Sequence, residues 1–104
     1  MEDSILALKS FELLEKDLKL DSRPDLMVDD PFSVLQKFLT SQIRHLLDQN
    51  FEFLLNAMYR IDISEAKLEE ILNFTAPGKV ASELAKAIIA REKQKVITRI
   101  KYSS

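Results

Sequence analysis

The chain contains no cysteine, a single glycine and three prolines. Without cysteine there can be no disulfide, no thiolate metal site and no cysteine nucleophile. A secreted domain of this size usually relies on disulfides, so the expected setting is a reducing, cytoplasmic one. One glycine, Gly78, is too few for the turns and bulges of a strand-rich fold. It is also too few for a phosphate-cradling loop. Thr75-Ala76-Pro77-Gly78-Lys79 ends in Gly-Lys but lacks the spaced glycines and the hydroxyl residue that such a loop needs. No run approaches the roughly 18 apolar residues of a membrane span. The start, Met1-Glu2-Asp3-Ser4, is acidic where a secretory leader is basic and then apolar. These absences predict a soluble chain with no membrane partner.

What is present fits long helices joined by few loops. The 104 residues suit one domain, 1–104, with one hydrophobic core. The expected fold is all-α: a compact bundle of about five helices at 4–19, 31–48, 50–61, 65–73 and 79–101. Residues 21–29 form a loop joining the first helix to the rest, with Leu26, Met27 and Val28 expected to press onto the core. Asp3 or Ser4 is positioned to cap the first helix. Asp30-Pro31 is a strong start for the second, because the aspartate caps and the proline's missing N–H costs nothing in the first turn. Asp48-Gln49-Asn50 interrupts the apolar stripe that runs from Phe32 to Ile61. The expectation is a break there, with Asp48 or Asn50 capping the next helix. An uninterrupted helix would be about 45 Å long, awkward for so small a domain. Ser64 caps the fourth helix, with Ile63 and Leu68 spaced as a hydrophobic staple.

Net charge is −2, but it is unevenly placed. Residues 1–30 hold nine acids against four bases, and residues 79–104 hold seven bases against two acids. An acidic first helix and a basic last helix can pair within one chain or between two copies. The last helix, about 35 Å long, should lie at the edge of the bundle, cross the first helix or pair with another chain. Its segment Arg91-Glu92-Lys93-Gln94-Lys95 has no apolar side chain and reads as a solvated stretch.

Few constellations carry chemistry. His45, Asp48 and Glu52 would share a face of an unbroken helix, a spacing able to bind a divalent metal. The lone histidine and the interrupted pattern favour a solvated helix edge instead, so no metal ligand and no cofactor is assigned. No nucleophile has a visible base, and the chain is not read as an enzyme. Tyr59-Arg60-Ile61-Asp62 is polar and compact at a helix end. The reading there is a junction clamp, with Arg60 near its helix's last carbonyls and Asp62 pairing with it or bracing the turn into Ser64. Arg91, Lys95 and Arg99 recur every four residues, a row that could track phosphates or dock against acids. Residues 65–90 read helix–turn–helix, but Val80-Ala81-Ser82-Glu83 lacks the side chains that read bases.

The stretches LLDQNFEFLLNAMYRIDISEAKLEEIL and ASELAKAIIAREKQKVITR resemble small all-helical bacterial proteins with no assigned activity. The likeness covers about residues 40–100 and lies in the Tyr59–Asp62 junction and in Arg91, Gln94 and Lys95. It implies a helical fold and a cytoplasmic setting, and it transfers no catalytic residue. The function expected is therefore a non-catalytic interaction or self-association module, with a homodimer as the first partner. Arg60, Asp62, Arg91, Lys95 and Arg99 are the partner-binding candidates. The alternative is nucleic-acid binding through the basic last helix.

Overall fold

A computed structural model describes residues 2–102; residue 1 and residues 103–104 of the expected domain lie outside the described residues. Among the described residues the fold is all-α. The helices are α1 (Asp3–Leu18), α2 (Pro31–Gln49), α3 (Phe51–Ile61), α4 (Glu65–Phe74) and α5 (Val80–Tyr102), with a 3₁₀ turn at Pro77–Lys79 leading into α5.

The helix ends follow local chemistry, with one exception. Asp30 accepts from the backbone N–H of Ser33, Asn50 from that of Phe53, and Ser64 from that of Lys67. Each satisfies a donor that the first helical turn leaves orphaned. Asn50, not Asp48, therefore makes the break between α2 and α3. At α1 the expected caps do not form: Glu2 holds the cap position without a side-chain bond. Ser4 turns its hydroxyl across to the Val28 carbonyl at 3.3 Å, which ties the loop end to the start of α1. The left-handed positions that close helices, usually glycine, are taken by Lys19 (φ 50°) after α1 and Asp62 (φ 71°) after α3.

α5 is the axis of the bundle. It packs on α1, α2, α3 and α4, whereas α4 packs on α5 alone among the helices. Leu35, Leu39 and Ile43 of α2 meet Leu84, Ala85 and Ile88 of α5 in a core that is closed to solvent. α1 contributes Ala7, Phe11, Leu14 and Leu18, and Phe11 meets Phe38 of α2 edge to face at 5.9 Å. The expected staple is present as two buried side chains, Ile63 and Leu68. Of the three loop residues expected on the core, only Leu26 is buried; Met27 and Val28 are exposed. Asp25 explains the turn-out, because its carboxylate accepts the Met27 N–H and curls the backbone away.

Candidate functional site

The junction residues are clamps between elements. Arg60 does not serve its own helix. Its guanidinium donates to the backbone oxygen of Asp17 at 2.8 Å, one of the carbonyls left open at the end of α1, and lies over the Phe53 ring. Asp62 pairs with Arg91 rather than Arg60: Arg91 Nη2 is 3.0 Å from Asp62 Oδ2, and Arg91 Nε donates to the Asp62 carbonyl at 3.3 Å. That grip fixes the left-handed turn between α3 and α4 to the side of α5.

The row Arg91, Lys95 and Arg99 is accordingly not a row of free cations. Arg91 is held by Asp62, and Lys95 Nζ lies 2.9 Å from Glu92 Oε1. Only Arg99 of the three is exposed, at a recess it shares with Lys9, Glu12 and Leu13 of α1. Lys93, off the row, covers the Phe32 ring at 4.5 Å.

The residue that sequence reasoning missed is Glu92. It lies in the segment read as solvated, yet its side chain is 0% exposed. The signal was present in the spacing. Position 92 falls four residues after Ile88 and four before Val96, both buried, so helical periodicity turns it inward. Neither carboxylate oxygen makes a hydrogen bond of good geometry. Burial pushes the carboxyl up to about 7; Lys95 opposes that rise, and the Asp17 carboxyl adds to it. By contrast, on the surface Arg23 binds Glu15 through two guanidinium nitrogens, Nη2 at 2.7 Å and Nε at 3.0 Å, and holds that carboxyl below its ordinary range.

α1 and the second half of α5 run in opposite senses. Leu6 shares a recess with Ile97 and Lys101 near the start of α1, and Leu13, further along α1, shares one with Val96. The acidic and basic arms thus dock within one chain, but through apolar contact. Among the described residues no ion pair joins α1 to α5; the bases Arg91 and Lys95 find their acids elsewhere. At this end of the bundle Ile5 (41%) and Ile97 (47%) remain exposed.

His45, Asp48 and Glu52 are exposed and split between α2 and α3 by the Asn50 break. Among the described residues no three His, Asp or Glu side chains come together as a metal site, and no helix is long and apolar enough to cross a membrane. No family model, no curated protein and no solved structure matches the chain.

Proposed function

We propose that this protein is a non-catalytic self-association module that docks onto a second copy through the end of the bundle where α1 begins and α5 ends. The observation that carries the reading is the charge layout there. Glu12 of α1 shares a recess with Arg99 of α5, Glu2 and Asp3 stand at the start of α1 and Lys101 near the end of α5, all exposed, and among the described residues no ion pair joins the acids to the bases. A two-fold axis would set the acids of one copy on the bases of the other, the self-complementary pattern that an isologous interface needs. Ile5 and Ile97 supply apolar contact within that frame. The absence of cysteine suits a cytoplasmic setting.

Light scattering across roughly 1–200 μM, a range that brackets the weak contacts expected of small interfaces, tests the proposal. The expected result is a mass that rises toward two chains, falls back at high salt, and stays at one chain in Ile97→Asp. A single-chain mass throughout for the native sequence overturns the reading. Nucleic-acid binding is the weaker alternative, because Arg91 and Lys95 already face carboxylates. It requires retention on heparin at low salt that fades as salt rises.

A further inference from the structure

We propose that the second copy is gripped by a knob and a hole: Met27, turned out on its loop, enters the apolar recess between the start of α1 and the end of α5 in the other chain, and the exchange is reciprocal. This rests on the self-association reading and names its contact. Met27 is 69% exposed, although its neighbour Leu26 is buried. The backbone sets its place. The Asp25 carboxylate accepts the Met27 N–H at 3.0 Å, and the Ser4 hydroxyl donates to the Val28 carbonyl at 3.3 Å. These two bonds hold the side chain outward in advance, so docking has less loop freedom to remove.

The hole lies close to that tie. Ser4 belongs to the opening turns of α1 together with Leu6. Leu6, Ile97, Ile100 and the stem of Lys101 line an open recess of about 340 Å³. Ile97 and Ile100 stay exposed there, which leaves apolar surface for an incoming side chain to cover. An unbranched, polarisable methionine adapts to such a recess better than a branched side chain does. Knob and hole sit at the same end of one chain. A two-fold axis passing between them brings each to its counterpart, as an isologous contact requires.

Charge selects the occupant. Asp25, Asp29 and Asp30 flank Met27 and are all exposed. No base lies between residues 24 and 36, and Arg23, just before them, is held by Glu15. The knob is therefore acidic. The hole is rimmed by a base, Lys101, also exposed. Among the described residues no ion pair takes up any of those three acids or Lys101. An acidic knob suits a basic rim, and this chain carries both. That complementarity favours a second copy as the occupant and sets which loop meets which helix end.

Analytical ultracentrifugation of the native chain, of Met27→Asp, of Ile97→Lys and of an equimolar mixture of the two variants tests the contact. Both positions are exposed, so both variants should fold and melt as the native chain does. Each alone should weaken association by roughly tenfold or more, the loss typical of a central anchor. The mixture should associate more tightly than either variant. In the mixed pair the intact Met27 of one chain meets the intact recess of the other, and the introduced carboxylate faces the introduced ammonium. Phe74→Asp, on an apolar side chain of α4 that is 85% exposed, should leave association unchanged. Met27→Asp associating as tightly as the native chain overturns the knob and leaves self-association standing. A mixture no tighter than its components overturns the reciprocal contact in the same way. A native chain that stays single at every concentration overturns both the contact and the self-association on which it rests.

Discussion

The two halves of α5 share one helix and one periodicity, yet they do opposite things. Residues 80–90 bury Ala81, Leu84, Ala85, Ile88 and Ile89 against neighbouring helices, with no charged side chain in that inner face. Residues 91–102 bury only Glu92 and Val96, and leave Ile97 and Tyr102 exposed. The first half packs its apolar face into the core, whereas the second meets α1 at Val96, Ile97 and Ile100 and reaches α2 through Lys93 over the Phe32 ring. Amphipathic spacing sets which residues could be buried, but the supply of neighbours decides which are. A carboxyl is tolerated in the second half because the Lys95 ammonium lies 2.9 Å from it.

Ile88→Ala should give the largest loss, about 2–5 kcal/mol by urea denaturation, as expected for emptying a closed apolar position. A loss below about 1 kcal/mol, the range of tolerant, loosely packed sites, would erase the contrast between the halves. Next comes the pH dependence of the second half. With the Glu92 carboxyl raised to about 7 against an ordinary 4.5, the folded state holds between those values a proton that the unfolded state has released, so stability is lost as pH rises through about 7. The native chain should lose on the order of 3 kcal/mol between pH 5 and pH 8, and Glu92→Leu should be more stable than the native chain at pH 8 by about 1–4 kcal/mol. Finding Glu92→Leu less stable at pH 8 would mean that the buried carboxylate is fully compensated. Ser64→Ala should cost about 1 kcal/mol through the lost cap of α4, the helix with a single packing partner. Lys19→Gly, which relieves a left-handed backbone, should leave stability unchanged or raise it by up to about 1 kcal/mol. A drop in its melting temperature would show that the lysine's place near the Phe53 ring, 6.0 Å away, outweighs the strain. Smallest of all, Ile97→Asp should change chain stability by no more than about 0.5 kcal/mol, as exposed sites do, while abolishing self-association.

Much of the architecture was legible residue by residue. Asp30-Pro31, Asn50 and Ser64 are local signals, because a cap needs only an oxygen within three residues of an orphan N–H, and all three act as written. The candidate site was legible only in part. Arg60 and Asp62 were read as junction residues and Arg91 as one of a basic row, but their partners lie 29 or 43 positions away, beyond any local pattern. Arg60 reaches the end of α1, and Asp62 reaches α5. Glu92 was hidden by its neighbours: four polar residues around it suggest a solvated run, and only the four-residue step from Ile88 to Val96 argues otherwise. Met27 and Val28 misled in the other sense, since apolar character alone does not say that a loop turns inward.

By itself the sequence determined an all-helical chain, its breaks, its caps and its lopsided charge, because those follow from spacing and from groups within a turn of one another. Tertiary structure alone decided how the arms meet. α1 lies along the second half of α5 through apolar side chains, not ion pairs, since burial of Leu6, Leu14 and Val96 gains more than exposed charges screened by water. That seating places the Glu92 carboxyl inside and leaves acids and bases exposed at the open end.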